Sequence, residues 1–205
     1  MIGFYNYTVI LTYAGLLFTV LGISQAVSGS MIPSIFCLGL ALACDMLDGR
    51  VAKTKKDRTQ SEKLFGIQID SLCDLISFGV FPAILCYQIG LRRTSGYVIL
   101  AYYILCCVIR LAYYNVRETQ REPDEKPVYH GLPVVGMAAI LLAIFLLRNW
   151  TADSVMIWIL RALPLTFGTL YILDFQIKKL SLWKLICFSL VFWIPLAIIC
   201  VHGVR

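Results

Sequence analysis

Apolar runs of about twenty residues follow one another along the chain, joined by short polar connections, and no other feature restricts the fold as severely. At a rise of 1.5 Å per residue, such a run crosses the roughly 30 Å hydrocarbon core of a bilayer as a single helix. The segments of sufficient length are 5–27, 31–53, 66–89, 95–117, 131–148, 154–174 and 183–202. The sixth holds Arg161 and Pro164, so a kink is expected there, or a short interfacial piece followed by a shorter span. With 60% apolar residues and a mean hydropathy of +0.80, the composition lies outside that of soluble globular domains. The expected fold is all-α, a polytopic membrane helical bundle of about seven transmembrane helices within a range of six to eight, forming one domain over residues 1–205. No basic stretch and cleavage site mark the first run as a signal peptide, so it is expected to stay in the mature protein.

A net charge of +6 would point to nucleic acid in a soluble protein. Here the basic residues collect in the connections, where topology and anionic headgroups account for them. Lys53, Lys55, Lys56, Arg58 and Lys63 follow the second run, Arg117, Arg121 and Lys126 the fourth, and Lys178, Lys179 and Lys184 the sixth. The other connections carry only Arg92, Arg93 and Arg148, so the positive-inside rule places the first set and the N-terminus in the cytoplasm. Eight cysteines lie in predicted helices without a CxxC pair and read as small apolar fillers.

Against this background four carboxylates are out of place. Asp45 and Asp48 stand i,i+3 near the end of the second run, and Asp70 and Asp74 stand i,i+4 in the first turns of the third. Each pair therefore projects from one face of its helix, at the cytoplasmic end. A charged Asp at the centre of a membrane helix costs roughly 2.5–3.5 kcal/mol, which calls for a compensating ligand. Two facing helices would offer four carboxylates to hard divalent cations, which prefer oxygen donors. Any one of these residues alone reads equally well as a helix-pairing or proton-relay group; the register with Gly49, Ala52 and Gly66 argues for a built site.

Read together, residues 45–74 spell D-x2-D-G-x2-A-K-x12-G-x3-D-x3-D. This closely resembles the CDP-alcohol phosphatidyltransferase signature, usually D-x2-D-G-x2-A-R-x8-9-G-x3-D-x3-D. Lys53 stands where that family has Arg, keeping the charge but losing the planar fork, and the gap before Gly66 is longer by a few residues. That gap leaves Thr59, Ser61 and Lys63 as alternatives for the ligand-facing place of the loop, with Ser61 taken as the candidate. The resemblance implies two divalent cations, Mg2+ or Mn2+, on Asp45, Asp48, Asp70 and Asp74, with Asp74 also the general base. It further implies a CDP site formed by Asp45, Gly49, Ala52, Lys53, Ser61 and Gly66, and a homodimer in the membrane.

The flanking residues are similar to those of the serine-accepting branch of the family. Ser71-Leu72-Cys73-Asp74-Leu75-Ile76-Ser77-Phe78-Gly79-Val80-Phe81-Pro82-Ala83 follows Asp70, Arg110-Leu111-Ala112-Tyr113-Tyr114-Asn115-Val116 ends the fourth run, and Gly131-Leu132-Pro133 opens the fifth. Tyr113 replaces a second Arg of that branch, which leaves Arg110 as the candidate for binding the acceptor. The implied reaction is transfer of the phosphatidyl group of CDP-diacylglycerol to L-serine, in the cytoplasmic membrane of a prokaryote, with membrane lipids around the enzyme and the site facing the cytoplasm. Glycerol 3-phosphate or an inositol phosphate as acceptor is the alternative within the family. A small cation or proton transporter is the alternative outside it.

Overall fold

The computed structural model describes residues 3–52, 54–55, 57–120, 129–147 and 153–177. Seven α-helices order these residues: α1 (Ile10–Val27), α2 (Met31–Ala52), α3 (Gln60–Asp74), α4 (Phe81–Ile89), α5 (Thr94–Gln120), α6 (Val135–Leu147) and α7 (Asp153–Ile172). A π-helical stretch, Leu75–Val80, joins α3 to α4 without a break, so Gln60–Ile89 forms one continuous rod. Five helices are long and apolar enough to cross a membrane, and α6 adds a shorter apolar one. The predicted span at 183–202 lies outside the described residues.

The helices bury Leu38, Phe78, Phe81, Leu85, Tyr103, Met137, Leu141 and Leu160 in one core. Their outer faces are also apolar, with Leu17, Leu21, Val98, Leu105, Val116 and Trp158 exposed. A helix that is hydrophobic all round belongs in lipid, because water would gain nothing from such a surface. Gly29 ends α1 at a φ of +83°, which lets the Ser30 N–H return to the Gln25 carbonyl at 2.9 Å and turns the chain straight into α2. The two helices then pack along their length. A Cβ on Gly22 would stand 2.8 Å from that of Cys37, so only glycine permits this approach.

Two expectations are corrected, and an alternative left open at the sixth span is decided. The third span begins at Gln60 instead of 66, because Thr59 caps α3 and Glu62 closes a reciprocal capping box, donor and acceptor both satisfied. Asp70 and Asp74 therefore sit about three and four turns into the helix rather than in its first turns. The fifth helix starts only at Val135, after a turn through Gly131 at φ +70°, and its 13 residues rise about 20 Å. The sixth span is one helix running through Pro164, neither divided nor replaced by an interfacial piece. One small departure from an all-helical chain appears among the described residues, an antiparallel pair of two-residue strands, β1 (Tyr129–His130) with β2 (Gln176–Ile177).

The π-helical stretch has a local cause. Pro82 has no N–H to give the Phe78 carbonyl one turn back, and its ring crowds that carbonyl. The backbone widens to i,i+5 pairing there, with the Phe81 N–H reaching Ile76. The fully buried Tyr103 of α5 donates its hydroxyl to the Phe78 oxygen at 2.6 Å. Tyr103→Phe removes this buried hydrogen bond, and is expected to cost about 1 kcal/mol, read as a lowered unfolding midpoint in detergent.

Candidate functional site

Helices α2 and α3 bring all four aspartates together at the end of the bundle that carries the basic 54–59 connection. Oxygens of Asp45, Asp70 and Asp74 lie within 4.8 Å of one another, each residue half-buried. Asp45 of α2 thus meets both Asp70 and Asp74 of α3 across the helix interface. Asp48 is turned toward α1, where Thr12 Oγ1 donates to its Oδ2 at 3.0 Å. Carboxylates at this range repel one another in a dry environment unless a proton or a cation lies between them. The donor set is hard oxygen throughout and comes from two rigid helices, which fits a divalent cation of the Mg2+, Mn2+ or Ca2+ kind better than a thiophilic metal.

Hydrogen bonds on every side hold the two helices in this register. Thr19 of α1 pairs with Ser77, three residues past Asp74, at 2.7 Å. Ser71 donates to Asn115 Oδ1 at 2.6 Å, and the Asn115 amide donates to Gln68 at 3.1 Å, tying α5 to the face of α3 between the aspartates. At the entrance Glu62 accepts from Lys55 at 2.9 Å and from Asn6 at 3.2 Å. The hydrogen bond to Glu62 holds the Lys55 ammonium above the usual lysine range.

Beside the aspartates opens a pocket of about 270 Å3, lined by residues that include Asp48, Asp70, Gly49, Ala52, Gly66, Thr12, Arg58 and Lys63. Nothing stands within 4 Å of a Cβ built on Gly49, so this glycine faces open space. A family model described as CDP-alcohol phosphatidyltransferase matches residues 5–168, which include every element of this pocket. The chain belongs to that family.

Among curated relatives, a CDP-diacylglycerol–serine O-phosphatidyltransferase of Saccharomyces cerevisiae is 37% identical over 111 residues, 52% of this chain and 39% of the relative. One of the same description from Helicobacter pylori is 29% identical over 147 residues, 71% of this chain and 59% of the relative. An archaetidylserine synthase of Methanothermobacter thermautotrophicus is 33% identical over 134 residues, 65% of this chain and 54% of the relative. The matches thus span between 39% and 59% of the length of these relatives. No solved structure matches the chain.

The sequence-derived site residues divide into groups. Asp45, Asp48, Asp70, Asp74, Gly49, Ala52 and Gly66 come together around the pocket and the carboxylate cluster. Lys53 lies outside the described residues. Of the loop alternatives, Lys63 lines the pocket, Thr59 is engaged as the cap of α3, and Ser61 is exposed and does not line it. Arg110 lies on the other side of α5, in a second pocket of about 200 Å3 with Tyr113, Tyr171 and Asp174, and donates its Nε to the Leu132 carbonyl at 3.2 Å. Tyr113 faces that pocket and Tyr114 the first, so α5 divides the two.

Sequence reasoning missed Thr12, Arg58, Tyr114 and Glu118 as pocket residues. Thr12 carries no local signal, since a threonine in an apolar helix usually bonds its own backbone. Arg58 was hidden among five basic residues of one connection. Metal binding distinguishes the parts of this site. Mn2+ titrated against the protein in detergent and followed by the EPR signal of free ion is expected to bind to the wild type and to fail to bind Asp70→Asn. Thr12→Val, which removes only the hydrogen bond behind Asp48, is expected to weaken it roughly tenfold.

Proposed function

We propose that the chain transfers the phosphatidyl group of CDP-diacylglycerol to L-serine, forming phosphatidylserine and CMP. The observation that carries this reading is the convergence of Asp45, Asp70 and Asp74 beside a pocket with small residues at Gly49 and Gly66, in a chain of this family. The printed descriptions of the relatives support serine as acceptor.

Asp45, Asp48, Asp70 and Asp74 would hold two divalent cations, Mg2+ or Mn2+. When bound, these supply positive charge to the attacking and leaving oxygens of a displacement at phosphorus. The remaining work falls to the chain. Asp74 takes the proton of the serine hydroxyl, whose oxygen forms a bond to the lipid-linked phosphorus as the bond from that phosphorus to the CMP oxygen breaks. Gly49 and Ala52 let the nucleotide lie against α2, Gly66 keeps side-chain bulk off the wall that α3 gives the pocket, and Lys53 adds positive charge. The basic connection beside the site supports a cytoplasmic entrance for serine, with the lipid substrate reaching the site from the surrounding leaflet.

CMP release by the purified protein in detergent, given CDP-diacylglycerol and Mg2+ or Mn2+, tests the reading. Release is expected with L-serine, and not with glycerol 3-phosphate or inositol 1-phosphate. Chelation by EDTA should abolish it, and Asp74→Asn should lower kcat at least about a hundredfold, the usual contribution of a general base. Release only with a phosphorylated acceptor would replace serine while keeping the chemistry. No release with any alcohol from a folded protein would remove the transferase reading.

A further inference from the structure

We propose that Arg58 binds the diphosphate of the CDP-lipid, and that Gly66 serves the site by seating the Arg58 guanidinium. This rests on the CDP-lipid reading above and assigns the nucleotide a binding group that the signature residues do not include.

Three observations converge on this side chain. Arg58 sits just before the cap of α3, and it lines the same pocket as Asp48 and Asp70. One end of its guanidinium, Nη2, abuts α3 at Gly66. A Cβ on Gly66 would meet Arg58 Nη2 at 2.5 Å, so the absence of a side chain at 66 is what lets the group settle there. Finally, the guanidinium is under-used. Nη2 makes one long bond to the Glu62 carbonyl at 3.3 Å, and Nε is buried with no hydrogen-bond partner among the described residues. The other buried unpartnered Nε among them belongs to Arg161, whose guanidinium stacks on Trp158 at 5.3 Å, away from the pocket. A desolvated guanidinium nitrogen without an acceptor is costly, and the cost is recovered when an anion enters.

The chemistry selects a phosphate. A planar fork matches two phosphate oxygens at once, whereas Lys63, on the same pocket wall, adds only a point charge. With Asp48 and Asp70, which would hold cations, and Arg58 and Lys63 all lining it, the pocket suits a group carrying two linked negative charges. The connection between α2 and α3 thereby does more than join helices. Its length brings an arginine fork back to the pocket, in a chain whose signature position Lys53 carries no such fork.

Gly66 makes the proposal testable. Because the atom in the way of a Cβ is the far end of a flexible side chain, Gly66→Ala would push the guanidinium aside without disturbing the fold. The experiment measures the affinity of the purified full chain for CDP in the presence of Mn2+ by equilibrium dialysis, with Mn2+ affinity in the absence of nucleotide as the control. Arg58→Ala is expected to weaken CDP binding about tenfold or more and leave Mn2+ affinity unchanged, with Arg58→Lys in between. Gly66→Ala should show a comparable loss, and Gly66→Ala combined with Arg58→Ala no more than Arg58→Ala alone. Wild-type CDP affinity in Arg58→Ala would overturn the diphosphate assignment, as would a parallel loss of Mn2+ binding. Additive losses in the double variant would overturn the seating role, leaving Gly66 in direct contact with nucleotide. A wild-type protein that binds Mn2+ but not CDP would instead overturn the CDP-lipid reading itself.

Discussion

Carboxylates on two helices, facing one another inside an apolar bundle, set the terms for everything around them. Oxygens of Asp45, Asp70 and Asp74 converge within 4.8 Å across the α2–α3 interface, and Asp48 lines the same pocket as Asp70, in surroundings where their repulsion is poorly screened. Such an arrangement drives its own helices apart unless positive charge enters and the scaffold holds. The scaffold is visible in the bonds that surround it: Thr12 behind Asp48, Thr19 on Ser77, Asn115 bridging Ser71 and Gln68. These come from α1 and α5, so the aspartates are clamped from both sides by helices that supply none of the carboxylates themselves.

The rod that carries Asp70 and Asp74 shows how a local sequence rule serves this clamp. Pro82 forces the π-helical stretch immediately after Asp74, and the carbonyl it frees is taken by Tyr103 of α5. Widened helices rotate the residues beyond them relative to those before. Here the change separates a polar, pocket-facing half of the rod from an apolar half, Phe81–Ile89, whose Phe81, Leu85 and Cys86 are fully buried. At the other end the capping box of Thr59 and Glu62 starts the same rod, and Glu62 also gathers Lys55 and Asn6. One side chain thus ties the N-terminal segment, the connection and α3 together at the mouth of the pocket.

Much of the site was legible from residues alone, because its parts are close in sequence and follow helical periodicity. Spacings of three and four place Asp45 with Asp48, and Asp70 with Asp74, on common faces whatever the rest of the chain does. The cost of charge in hydrocarbon then marks them as a site. The start of α3 was misplaced because hydropathy registers the apolar run and not the cap that precedes it, although Thr59-Gln60-Ser61-Glu62 has the pattern of a capping box. The short α6 was overestimated for a similar reason, since Leu132 and Val134 carry the apolar window across the turn at Gly131 and Pro133.

What the sequence by itself determined is the class of fold and the four carboxylates, since both follow from periodicity and from the energetics of burying backbone and charge. Tertiary structure alone decided which face of α2 meets which face of α3, that Thr12 stands behind Asp48, that Arg110 opens onto a different pocket, and that Arg58, rather than Ser61, reaches the first. These depend on contacts between residues tens of positions apart, made by side chains whose direction is set by packing against a neighbouring helix. No local preference encodes such a contact, because the same threonine or arginine is equally at home facing lipid headgroups until a second helix is laid beside it.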